Sequence, residues 1–336
     1  MNVYHNENLW GNGEVGVKLT ALPVNRTFLW EEQEIFIPAV YVGKAGAVLD
    51  VCGKIPIEDM KAFLKKWNKK RRLCLKTQEE YEQIEADNPA ARNFVVEMSL
   101  EDIPLLRCMS SSLNWYPESV FYLENDAPAK EECENDKAAE KLMEAYDCDR
   151  KYCWHFERLS YDWKNEAILS PKKLSLTFQE DPIPVTAGYF TTDTSGSHET
   201  IRTVQVVHPG TGQEYTLTLH ECQQSRHSFA DIGSKGVVYP EYFQTLSYSI
   251  SPEIEQNIFV IRDCGESDQP RMADKACCKA TAATAIFMAE KTAIPNRRMA
   301  ASSMHFEPFS KVQWRIVFMT KTRDDIKICF PIDRQS

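Results

Sequence analysis

The strongest constraint in this sequence is a pair of short stretches that read as the two arms of a hairpin. Ile201 to His208 and Gln213 to Cys222 flank Pro209-Gly210-Thr211-Gly212. A four-residue loop containing glycine is a common hairpin connection. In the second arm Tyr215, Leu217 and Leu219 alternate with Thr216, Thr218 and His220. Successive strand side chains point to opposite faces, so the first set is expected on a core and the second on a wetter face.

The same reading applies along much of the chain. Glu34 to Gly43 and Ala47 to Cys52 are rich in β-branched and aromatic residues and are joined by a Gly-Lys-Ala-Gly turn, so they read as a second hairpin. Leu174 to Phe178, Ile258 to Cys264, Val312 to Met319 and Ile326 to Phe330 also alternate. Helices interrupt the pattern. Pro56 suits a helix start, and Ile57, Met60, Leu64 and Trp67 recur at helical spacing. Thr77 and Glu80 have capping-box spacing at the start of a second helix, which Asn88-Pro89 ends. A third helix is expected near 129–146, and an alanine-rich one near 272–291.

The expected fold class is therefore α+β and β-dominated: an antiparallel β-sandwich-like or strongly twisted sheet with a few helices. The domain reading is a mixed α+β region over 1–125, an acidic helical connector over 126–150 and a β-rich domain over 151–336. The connector is expected to be solvated, because its apolar face is thin (Cys133, Leu142, Met143 and Tyr146).

Charge limits the partners. The 336 residues carry 39 basic and 49 acidic side chains, a net charge of −10. Such a surface repels phosphate backbones, so nucleic acid is disfavoured except at a local basic patch. Lys65, Lys66, Lys69, Lys70, Arg71 and Arg72 form the one such run and are the candidate anion or partner contacts. Eleven cysteines, an odd number, follow a polar N-terminus with no apolar signal segment. That combination points to free thiols in a reducing, cytoplasmic setting and to a soluble protein. The longest nearly apolar run, Ala280 to Ala289, is about half of what a membrane span requires, so no membrane is expected.

Motifs that carry chemistry fail on context. Gly11-Asn12-Gly13-Glu14-Val15-Gly16 has dinucleotide-loop spacing, but no apolar strand precedes it and no helical period follows. Asp193-Thr194-Ser195-Gly196 departs from the aspartic-protease loop by one inserted residue. His220-Glu221 lacks a histidine at position 224, where Gln224 stands, so the helical zinc-protease spacing is excluded. What remains is a metal reading on strands. His220 and Cys222 are two residues apart and are expected on one face, with His227 after a short loop. Cys153 and His155 repeat that spacing. Two such pairs on adjacent strands would give zinc four soft ligands.

The functional expectation is a non-enzymatic binding or interaction module that takes a protein or peptide partner on an exposed sheet face or edge. The alternative is an enzyme of unrecognised type, for which His220, Cys222 and His227 are the candidate metal-dependent centre.

Overall fold

The computed structural model describes residues 1–10, 16–67, 77–91, 93–121, 136–194, 202–227, 237–272 and 296–332. Lys69, Lys70, Arg71 and Arg72 lie outside them, as do Gly11 to Gly13 and nearly all of the 272–291 segment. The described residues are β-dominated and all their sheets are antiparallel, as the alternation implied. The chain divides into two compact units: residues 1–74, 84–181 and 323–336 form one, and residues 75–83 and 182–322 the other. The division expected at 126–150 is not where the units part. Strand β7 (Cys153–Asp162) pairs with β3 (Ala47–Ile55) on one side and β6 (Leu106–Trp115) on the other, so it is an inner strand of the first unit.

The first unit contains two sheets. One runs in the order β1 (Thr20–Trp30), β2 (Gln33–Val42), β3, β7, β6. The other runs β18 (Ile326–Pro331), β8 (Lys173–Glu180), β4 (Phe94–Leu100), β5 (Ile103–Pro104). A single apolar core takes Ile35, Leu49, Val51, Leu159 and Tyr161 from the first sheet and Phe94, Val96, Met98, Leu176 and Phe178 from the second. Trp30, Phe94 and Phe178 form a triangle of rings with centroids 5.6–5.7 Å apart. Each such pair contributes about 0.5–1.5 kcal/mol beyond its buried area.

The five-stranded sheet is covered on its other face too. There Cys52, Leu113, Trp154 and Phe156 pack with Ala139, Leu142 and Met143 of helix α3 (Lys137–Ala145). Burial on both faces explains why β3 and β7 show no alternation: every residue of β7 up to Tyr161 is buried. It also revises the solvated connector, since the described part of that helix is a covering layer of the first unit.

Two further helices start where their sequences imply. Helix α1 (Ile57–Lys66) follows Pro56 and buries Met60 and Phe63. Helix α2 (Gln78–Asp87) starts with a formed capping box: Thr77 N donates to Glu80 Oε2 at 3.2 Å, and Glu80 N donates to Thr77 Oγ1 at 3.2 Å.

The second unit has a four-stranded sheet in the order β10 (Arg202–Val207), β11 (Glu214–Arg226), β13 (Tyr242–Ser251), β16 (Arg298–Ala301), and a short ribbon of β12 (Val237–Val238) with β15 (Arg271–Met272). Its three-stranded sheet runs β14 (Phe259–Asp263), β17 (Lys311–Thr320), β9 (Ile183–Asp193). Tyr215, Leu217 and Leu219 enter a core with Leu246, Phe259, Trp314 and Phe318, while Thr216, Thr218 and His220 face outward, as expected. On the three-stranded sheet Arg262, Arg315 and Tyr189 are cross-strand neighbours in one row. Glu82 binds both guanidiniums, reaching Arg315 at 2.8 Å, and Glu79 accepts from Tyr189 at 2.6 Å and Thr186 at 2.9 Å. Two adjacent arginines, one of them fully buried, thus share the single carboxylate of Glu82, while Glu79, one helical turn earlier, takes the neighbouring hydroxyls.

Candidate functional site

The strand residues read as metal ligands do not converge. A bulge falls in β11 between Leu219, opposite Tyr248, and Glu221, opposite Ser247. His220 is the extra residue. An inserted residue shifts the alternation by one position, so His220 and Cys222 point to opposite faces. His220 Nε2 lies 2.8 Å from Ser249 Oγ on the outer face. Cys222 packs on the core, with Sγ 3.3 Å from Gln244 Oε1 and 3.4 Å from Thr192 Oγ1. His227 is seven residues past His220 along an extended strand, roughly 20 Å away at the usual rise. Burial, then the charge of Arg297, lowers the pKa of His220, and burial raises that of Cys222.

Cys153 and His155 do share a face of β7, but that strand belongs to the first unit and has no pairing with β11. His155 Nδ1 lies 2.8 Å from Asn114 Oδ1, and burial pushes the Cys153 thiol up to about 12. Of the basic run, Lys65 is exposed at the end of α1 and Lys66 pairs with Asp87 at 2.6 Å. Trp67 Nε1 donates to the same carboxylate at 2.6 Å, which ties the tryptophan to the protein rather than to a ligand.

The most concentrated polar chemistry lies elsewhere, on the α3-covered face of the five-stranded sheet. Asp50 in β3 and Arg158 in β7 are cross-strand partners. Arg158 donates from Nε to Asp50 Oδ1 at 2.8 Å and from Nη2 to Oδ2 at 2.6 Å. The Tyr146 hydroxyl also donates to Oδ2, and Tyr41 OH lies 2.9 Å from Tyr146 OH. Burial first, then the Asp50 charge, pushes Tyr41 up to about 12 and Tyr146 far above its ordinary value. Burial works against the charge on Arg158, yet the carboxylate beside it holds its pKa above the usual range. Tyr41, Tyr146 and Arg158 therefore keep their protons at neutral pH.

Helix α3 is held at both ends, and its C-terminal end joins this network. Its C-cap is Tyr146 itself. At its N-cap, Asp136 accepts from Ala138 N at 2.7 Å and, through the other oxygen, from Trp10 Nε1 at 3.0 Å. The N-terminal residues run alongside, with Leu9 N donating to Ser111 Oγ at 3.1 Å. Between this segment and α3 lies a cleft of about 290 Å³. Met1, Leu9, Trp10, Leu142 and Arg158 are among its lining residues, together with Glu7 and Lys141. That volume is near the lower end of the roughly 300–1,000 Å³ of small-molecule sites. Arg158 Nη2 faces Met1 Sδ at 4.0 Å, and a thioether is a weak acceptor for a guanidinium.

Sequence reasoning did not find this site, because Asp50 and Arg158 are 108 positions apart and neither sits in a recognisable motif. The only local signal was Asp50, a carboxylate inside the apolar stretch 47–52; Arg158 follows Glu157 in a mixed stretch that marks neither. Among the described residues no helix is long and apolar enough to cross a membrane. No protein-family model, no curated protein and no solved structure matches this chain.

Proposed function

We propose that the protein is a non-catalytic binding module and that its first unit takes a carboxylate-bearing, peptide-like ligand in the cleft over Arg158. The observation that carries this reading is the Arg158 guanidinium. One edge is locked by Asp50, and its Nη2 meets only a weak sulfur acceptor toward the cleft. A ligand carboxylate would replace that sulfur with a charge-assisted hydrogen bond, about twice as strong as a neutral one.

The rest of the lining supports the same ligand class. Lys141 adds a second cation for a carboxylate, Glu7 an acceptor for an amide N–H, and Trp10 and Leu142 apolar surface for a short side chain. The raised tyrosine pKa values favour binding over acid–base chemistry, since neither phenol gives up its proton near neutral pH. The free described cysteines, of which Cys108 and Cys329 are exposed, are in keeping with a reducing, cytoplasmic setting.

N-acetylglycine is a small probe with both an amide N–H and a carboxylate. Titrated into isotope-labelled protein, it should shift the resonances of the Trp10 indole and of α3. Ala138→Trp, which fills the cleft from a half-exposed position, should remove those shifts while leaving the fold intact. Shifts that are absent, or that persist in Ala138→Trp, would overturn the reading.

A further inference from the structure

We propose that His5, Cys108 and Asp162 form a binding site for one borderline divalent cation of the zinc type. Their donor atoms all lie within 4.8 Å of one another. This site is separate from the cleft and stands on different observations.

Three local features bring the trio together. His5 N donates to Val17 O and Leu19 N donates to Val3 O, so the N-terminal segment lies along the residues that lead into β1. The chain then turns at Asn6, whose φ is 60°. Cys108 is the extra residue of a bulge in β6, between Arg107, opposite Tyr161, and Met109, opposite Ser160. Bulges re-aim a side chain that regular pairing would point elsewhere. Asp162 ends β7, opposite Leu106.

The geometry suits tetrahedral coordination. Bonds of about 2.0 Å from nitrogen and oxygen and 2.3 Å from sulfur set ligand atoms about 3.3–3.6 Å apart. His5 Nε2 is 3.3 Å from Asp162 Oδ1. Cys108 and Asp162 are exposed, so closing on an ion meets little resistance. The imidazole is the anchor: its side chain is 8% exposed. It sits where residue 46 has no side chain, because a Cβ on Gly46 would collide with His5 Nε2 and with the Tyr161 carbonyl oxygen. Asn6 Oδ1, 3.2 Å from Cys108 Sγ, leaves a carbonyl oxygen beside the thiol.

A nitrogen, a thiolate sulfur and a carboxylate oxygen form a donor set for zinc, with a fourth position left for water. Binding takes the thiol proton from Cys108 to solvent and needs the imidazole proton on Nδ1, so the 3.2 Å contact of His5 Nε2 with the Tyr161 carbonyl oxygen gives way to the ion. The ion would fasten the N-terminal turn to β6 and β7.

Cobalt(II) titrated into chelator-stripped protein reports thiolate coordination through its sulfur-to-metal absorption. The expected result is one equivalent bound with that band present. Cys108→Ser should abolish the band. Asp162→Asn and Gly46→Ala should each weaken binding at least about tenfold, while His220→Ala changes nothing. Circular dichroism of Cys108→Ser, altered at an exposed position, controls for folding. No thiolate band in the native protein, or a band that persists in Cys108→Ser, would overturn the site.

Discussion

Asp50 and Arg158 meet as a two-toothed ion pair on neighbouring strands, and only 2% and 3% of their surfaces reach solvent. A buried charge that keeps its partner is tolerated, whereas one that loses it is not. Asp50→Asn should therefore cost about 3–5 kcal/mol in denaturant unfolding. Replacing both residues, as Asp50→Leu with Arg158→Met, should cost much less than the sum of the two single changes. Additive costs would mean that the pair is not coupled.

The tyrosines above the pair give a pH prediction. A phenol whose pKa is raised in the folded state holds its proton more tightly there than in the unfolded chain. The stability this supplies is fully present below the ordinary value of 10 and is lost as pH rises toward 12 for Tyr41 and beyond it for Tyr146. Stability should fall from pH 10 upward, by about 1.4 kcal/mol per pH unit for each such group. Tyr146→Phe should flatten that decline, measured by denaturant unfolding between pH 9 and 12. An unchanged slope would remove Tyr146 from the network.

In the second unit, Glu82 stands between Arg262 and Arg315, and the Arg315 side chain is 2% exposed. Glu82→Gln would leave two neighbouring guanidiniums with one partner fewer. The expected loss is about 3 kcal/mol or more. Exchange protection of β14 and β17 amides should fall in the variant, while Glu79→Gln, which loses hydrogen bonds to Thr186 and Tyr189 only, should do less.

Thiol accessibility separates the cysteines. Cys108 and Cys329 are exposed and should be alkylated in the folded protein. Cys52 and Cys153 are buried, with pKa values raised by burial, and should react only on unfolding. Peptide-resolved mass spectrometry after a short alkylation pulse reads this directly. Early labelling of Cys52 would contradict the packing of α3 over it.

The hairpin at Tyr215, Leu217 and Leu219 was legible because its sheet is buried on one face only, so burial and alternation coincide. In β7 the same logic fails. Both faces are covered, and Glu157, Arg158 and Ser160 are buried among apolar neighbours, so no period marks which side is which. One bulge was enough to undo the pairing of His220 with Cys222, because register is a tertiary property that two-residue spacing does not encode. The Thr77–Glu80 capping box was readable because both partners lie within one helical turn. Asp50 with Arg158, and His5 with Cys108 and Asp162, are brought together only by strand order and by a bulge at Cys108. Neither is written in local spacing.

The proposed anchoring of a ligand carboxylate by Arg158, in the cleft beside α3, comes down to a single contact. The most direct test is a crystal structure of the protein grown with N-acetylglycine, read as one distance, from the ligand carboxylate to Arg158 Nη2. The expected distance is about 2.7–2.9 Å, with the Met1 thioether displaced. A ligand ordered elsewhere, or a cleft in which Met1 still faces Arg158 at saturating probe, would contradict it.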